Sequence, residues 1–302
     1  MKPSAIETRA KLACAYAGLV WGLFWLPLRA LEKAGVEGLW AIVAFYLSPL
    51  IVVVPLLAWR LPQLRAGGAD LQFKGIMVAI GMVPYSVSLL YTDVVRAILL
   101  FYLTPIWSAL LARLVLGEAI TPVRWVSMGL GFLGLIVILR SDGALPLPDN
   151  AGDWLAFAAG ILWAAAAVSL RRGRAHDALD LTIVNFLWSA VLAVLFLYLF
   201  RGMGSPAPSV TTVFSTLPWL VPTLLVVLLT GTYATMWATP KLNPAVVGLL
   251  FMTEISVGAI TAALWADERF GSRELAGVVL ITGAGVLESV WELWFKPRPR
   301  RA

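Results

Sequence analysis

Charge is what this chain has least of. Of its 302 residues, 13% are charged and 60% hydrophobic, against about 25% charged in an average soluble domain. That leaves too little polar surface to cover a soluble globule. Cysteine occurs once, at Cys14, and histidine once, at His176. Neither a disulfide framework nor a zinc site can be built from them. No lysine precedes a Ser or Thr, which removes a phosphate-binding loop and an ATP-driven pump built from this chain alone. There is no paired-His site and no Ser–His arrangement, so an enzyme has no catalytic constellation to use. Rings of like charge and repeated filter sequences are missing too, which argues against a channel. The stretch Gly129–Gly134 matches a dinucleotide fingerprint in form only, because it lies inside an apolar run with no strand before it.

What is present is a series of apolar runs about 20 residues long, the length that crosses a hydrocarbon core as a helix. Backbone groups find no water there, so helices are required, and the runs do not alternate as barrel strands would. Ten spans are expected: 11–31, 38–59, 72–92, 96–117, 122–140, 152–170, 179–200, 214–238, 244–266 and 273–295. Met1–Lys11 is short and polar, and no cleavable leader is expected from it. With the N-terminus in the cytoplasm, only Arg29, Lys33, Arg96, Arg140, Arg201, Arg269 and Arg273 fall outside, leaving sixteen of the 23 basic residues inside. Both termini are therefore expected in the cytoplasm. The net charge of +6 is dispersed over short loops and does not suggest a nucleic-acid partner. The basic tail from Lys296 to Arg301 reads as an anchor near anionic lipid.

The spans repeat. Gly18-Leu-Val-Trp21 with Arg29 eight residues on returns as Gly160-Ile-Leu-Trp163 with Arg171, an offset of 142. Gly81, Asp93 and Leu99-Leu-Phe101 return as Gly231, Asn243 and Leu249-Leu-Phe251, and Gly117-Glu118 as Asp267-Glu268, an offset of 150. The eight extra residues fit the loop around 202–208. Five spans precede Leu145-Pro-Leu-Pro148 and five follow. The expected organisation is an all-α integral membrane protein, with repeats over 1–145 and 149–302. An odd span count inverts the second repeat relative to the first.

Candidate site residues are polar or aromatic groups deep in the spans. Glu254 lies mid-span, where a carboxylate costs about 2.5–3.5 kcal/mol on the insertion scale and should face the bundle or water. It reads either as a substrate-amine or proton site, or as a protonated acid bonded between helices. Gly18, Trp21 and Trp25 share a stripe, as do Gly81, Tyr85 and Ser88, and Gly160 and Trp163. Thr104 and Ser108 share a face of span four. Thr182, Asn185 and Ser189 form a further stripe with Trp188 beside it. The substrate-lining set is thus Trp21, Trp25, Tyr85, Ser88, Thr104, Trp163, Asn185, Trp188 and Glu254, although helix packing accounts for each one singly as well as ligand contact does. Pro27, Pro49, Pro55, Pro84, Pro105 and Pro222 lie within spans and permit bends.

The run Leu103-Thr-Pro-Ile-Trp-Ser leading to Gly117-Glu118, then Gly129, Gly131 and Gly134, resembles the drug/metabolite transporter superfamily, EamA type. The second copy departs from that pattern, with Glu254 near the usual proline and Asp267 in place of glycine. Within the superfamily the aromatic-rich chain is most similar to exporters of aromatic amino acids. The resemblance implies a bacterial inner-membrane exporter of aromatic or apolar amino acids, or similar amphipathic metabolites, by alternating access without tight ion coupling. A proton-coupled multidrug or cation exporter of the same fold is the alternative, with a channel or scaffold behind it. The partners expected are a small-molecule substrate and the bilayer. Neither cofactor nor metal is needed, and a monomer is acceptable. A cytoplasmic reporter enzyme fused after Ala302 should be active and a periplasmic one silent. The reverse pattern would invert the whole topology.

Overall fold

The computed structural model of the chain describes residues 5–139, 148–200, 205–265 and 271–295. The Leu145–Leu147 part of the Pro-rich linker, residues 202–204 of the longer loop, Asp267-Glu268 and the basic tail lie outside the described residues. Every regular element among those described is helical. Five helical segments are long and apolar enough to cross a membrane: Ala5–Lys33, Leu50–Tyr91, Ala151–Arg171, Ala178–Leu199 and Val210–Lys241. Shorter apolar helices cover Thr104–Leu116, Val246–Gly258 and Leu275–Ala284.

Several expected spans are interrupted, and most interruptions have a local cause. The first divides into α1 (Ala5–Trp21) and α2 (Trp25–Lys33). Pro27 cannot bond to the Leu23 carbonyl, and the chain turns at 22–24 with tighter bonds such as Leu23 N to Val20 O, 3.1 Å. After α3 (Leu39–Leu47), Pro49 precedes α4 (Leu50–Tyr91). Residues 60–71 were expected to be loop, yet α4 runs through them with one non-helical residue, Gly68 at φ 59°. Leu64 and Leu71 are buried there, and Arg60 and Asp70 pair with Asp180 and His176.

Next, α5 (Val94–Phe101) and α6 (Thr104–Leu116) break at 102–103. Pro105 leaves the Phe101 carbonyl without its helical donor, and Thr104 Oγ1 supplies one at 2.5 Å. After α7 (Pro122–Leu139), α8 (Ala151–Arg171) and α9 (Ala178–Leu199) are unbroken and start on the capping side chains of Asn150 and Asp177. Following Pro218 and Pro222, α10 (Val210–Leu224) passes through a π-helical turn, Leu225–Leu229, into α11 (Thr230–Ala238). The ninth expected span divides at Met252 into α12 (Pro244–Phe251) and α13 (Thr253–Trp265), and α14 (Ser272–Phe295) completes the chain.

The halves of the sequence interleave. On α8, Gly160 lies so close to the α5–α6 break that a Cβ there would be 2.5 Å from the Phe101 carbonyl oxygen. A Cβ on Gly81 of α4 would be 3.0 Å from the Trp163 backbone of α8. Reciprocally, Gly231 of α11 faces Val20 and Trp21 of α1, and Gly18 faces Leu250 and Thr253. Lipid offers helices no hydrophobic drive to associate, so close approach at small residues is what holds them. The pair α7–α14 packs in the same way, Gly134 against the Gly277 carbonyl.

Ion pairs sort to two ends. At one, Arg60 forks onto Asp180 at 2.8 and 2.9 Å, Arg171 meets Glu118 at 2.8 Å, and His176 meets Asp70 at 2.5 Å. At the other, Asp153, fully buried, accepts from Arg96 at 2.6 Å, Thr92 at 2.7 Å and the Asp149 amide at 3.1 Å. A buried carboxylate is tolerable only when it is supplied in this way. Gly160→Ala should lower the detergent melting temperature, costing about 1–3 kcal/mol because backbone rather than a side-chain tip must move. Gly129→Ala, with open space around it, should not. Equal melting of the two variants would refute the close-packing account.

Candidate functional site

Where α1, α4, α5, α6, α8, α12 and α13 converge, a cavity is lined by Trp21, Met82, Tyr85, Phe101, Tyr102, Thr104, Trp163, Gly248, Phe251 and Glu254. Its walls are aromatic. Tyr85 stacks on Phe101 with centroids 4.3 Å apart and planes at 27°. Trp163 leans on Phe251 at 6.1 Å, and Trp21 on Phe24 at 5.4 Å. The Trp21 indole N–H donates to Thr235 Oγ1 at 3.1 Å, which fixes the ring across the halves.

Glu254, 4% exposed, is the one acid in this lining. Tyr85 donates to its Oε1 at 2.7 Å. The Tyr102 oxygen lies 2.5 Å from Oε2 and 2.7 Å from the Phe251 carbonyl. A phenol has one proton to give. The Tyr102 hydroxyl is shared between the two oxygens and ties Glu254 to the Phe251 carbonyl. The cavity's free volume of about 20 Å³ holds roughly one water. The site is closed in this conformation.

Of the nine residues expected at the site, Trp21, Tyr85, Thr104, Trp163 and Glu254 come together here. The other four lie elsewhere. The break at 22–24 turns Trp25 out of register with Trp21, and its indole donates to Thr261 at 3.2 Å. Ser88 sits one turn along α4 from Tyr85 and donates to the Tyr85 carbonyl at 2.6 Å. Asn185 and Trp188 belong to α9, which packs on α3, α4 and α11 and gives no residue to the cavity lining. Asn185 there lies 3.4 Å from Ser189, and Trp188 donates to Gln72 at 2.8 Å.

Sequence reasoning did not select Tyr102, Phe101, Phe251, Met82 and Gly248. The signal for Phe101 and Phe251 was the repeat itself, since they are matched positions. Tyr102 enters only because the helix stops at Phe101. Among the described residues no cluster of His, Cys, Asp and Glu could hold a metal ion.

A model of the EamA-like transporter family matches residues 8–140 and again residues 150–289. An uncharacterized transporter of Pseudomonas aeruginosa, PA0485, is 28% identical over 137 residues, which span 43% of this chain and 46% of that protein. The chain therefore matches a little under half of that relative's length. A solved crystal structure superposes with a TM-score of 0.68 over 93% of this chain and 98% of its own, at 19% identity, and so shares the fold.

The donor count ranks the two tyrosines. Tyr102→Phe strands the Phe251 carbonyl as well as an oxygen of Glu254, whereas Tyr85→Phe affects only the acid. Thermal unfolding in detergent should show the Tyr102 variant less stable, by about 1–3 kcal/mol for the orphaned carbonyl. The opposite order would mean that Tyr102 does not bond to Phe251.

Proposed function

The chain belongs to the EamA-like transporter family, and from that premise we propose that it exports aromatic or other apolar amino acids, or similar small amphipathic metabolites, across a bacterial inner membrane. The observation that carries this reading is Glu254, held by two tyrosines among aromatic faces at the meeting of the halves. A substrate ammonium suits the carboxyl end of such a cavity, and an apolar or aromatic side chain suits Trp21, Phe101, Trp163 and Phe251. Aromatic specificity is favoured by these walls and by the resemblance to aromatic amino-acid exporters.

The mechanism proposed is alternating access between two inverted five-span repeats, 1–145 and 149–302, with both termini in the cytoplasm. Support comes from the double family match and from the reciprocal contacts of Gly81 with Trp163 and of Gly231 with Trp21. The closed cavity corresponds to an occluded conformation, since ligand sites for such molecules need hundreds of cubic ångströms. Opening separates the halves at one end while the ion pairs at the other end hold.

Transport down the substrate gradient is favoured over tight proton coupling, because Glu254 is the one acid in the lining and no His stands beside it as a relay. The test is flux of labelled aromatic amino acids in proteoliposomes, with and without a pH gradient. Trp163→Ala should lower flux severalfold while the protein stays folded, and Glu254→Gln, which keeps a donor, should retain most of it with little response to pH. Loss of flux in the Gln variant, together with pH-driven uphill movement in the parent, would establish the proton-coupled cation exporter instead. Flux unchanged by every aromatic substitution would show that the cavity is only packing.

A further inference from the structure

A second cavity, of about 420 Å³, lies between α4, α6 and α8 at the end that carries the Arg60–Asp180 and Arg171–Glu118 pairs. Its walls are Met77, Leu111 and Val168, with Phe73 and Val115 at its lips, 52% and 40% exposed on the outside of the bundle. Its far end is charged. Lys74, 2% exposed, donates to the Arg174 carbonyl at 2.6 Å and pairs with Asp70 at 3.2 Å. That uses two of its three protons. Asp70 is shared with His176 at 2.5 Å. Arg172 lines the same end and holds no ion pair among the described residues. Lys74 and Arg172 against one shared carboxylate leave this end positive. An apolar trough with a cationic end, at the level where helices leave the membrane, fits an amphipathic anion.

The trough is not part of the transport path. At roughly 100° per residue, Ala165, Val168, Ser169 and Arg172 lie about 140–240° around α8 from Trp163, on the side away from the central cavity. Its lips face lipid. We infer that it binds an anionic membrane phospholipid, with the phosphate at Arg172 and the Lys74 ammonium and an acyl chain along Phe73, Met77, Leu111 and Val115. Basic pockets between helices at a membrane surface bind anionic head groups by this complementarity. The lipid would tie α4 and α6 of the first half to α8 of the second. The inference rests on the membrane reading of the chain and not on its substrate, and its test reads binding without flux.

The full chain, purified in detergent, is melted with phosphatidylglycerol or phosphatidylcholine added to the micelles. Phosphatidylglycerol should raise Tm by about 2–4 °C more than phosphatidylcholine does, and native mass spectrometry should retain one molecule of it. Arg172→Glu should keep the detergent Tm, because Arg172 is exposed and unpaired, yet lose the difference between the lipids. Met77→Trp, which fills the trough, should lose it as well. Equal shifts from both lipids, or an undiminished difference in Arg172→Glu, would overturn the proposal. Inorganic phosphate alone giving the full shift would show a soluble-anion site in its place. An aromatic amino acid giving a shift that depends on Arg172 would show an entry vestibule.

Discussion

Close approach of helices at four glycines is the constraint on which the rest of this protein depends. Lipid tails are as apolar as the helix surfaces, so burial alone gives the helices no reason to meet. Gly18 and Gly160 admit the broken helices of the opposite half, and Gly81 and Gly231 admit the tryptophan-bearing ones. Each contact brings a tryptophan and an aromatic helix end toward the same place, so the cavity follows from the packing. The tryptophans need not be held by their own half, and Trp21 is bonded to Thr235 of the other.

A carboxyl at that meeting point is tolerated because the same geometry supplies its partners. Tyr85 comes from α4 and Tyr102 from the break after α5, both in the first half, while Glu254 comes from the second. The two ends of the bundle are handled differently. There, carboxylates such as Asp153 and Asp180 are buried partners of half-buried arginines. Ion pairs at the ends and a single hydrogen-bonded acid in the central cavity is the distribution that the cost of charge at membrane depth favours.

The all-helical membrane class was legible in composition, and the five long apolar segments needed nothing beyond run length. The halves of the cavity were legible through the repeat, which flagged Trp21 and Trp163 together. What could not be read was where helices stop. The break before Pro105 has a proline to announce it, but the break at Met252 has none. A stripe drawn along an unbroken helix placed Trp25 beside Trp21, and three residues of turn undo that. Asn185 and Trp188 failed for another reason: periodicity gives a face but not the layer toward which the face looks. Helix α9 packs on α3, α4 and α11, and the hydrogen bonds of the stripe stay within α9. The helical path through 60–67 was hidden because Gly67, Gly68 and Pro62 carry loop signals, while a buried Leu64 and the Arg60–Asp180 pair tie the helix down.

The two broken helices heal themselves in different ways, and the difference bears on how the site opens. In the first half, the Phe101 carbonyl freed by Pro105 is taken by Thr104 of the same helix. That repair travels with the helix wherever it moves. In the second half, Ile255 N bonds to Met252, and the Phe251 carbonyl is taken by Tyr102 from the opposite half. Separating the halves therefore strands that carbonyl and an oxygen of Glu254 at one stroke. Neither can be left bare in hydrocarbon, where an unsatisfied backbone group costs several kcal/mol. A motion that parts Tyr102 from α12 must admit water or a polar ligand to the same two oxygens. An opening toward lipid is thereby disfavoured and an opening toward an aqueous face is favoured. Under the function proposed above, a substrate amine, with several protons to donate, is the group that replaces the phenol.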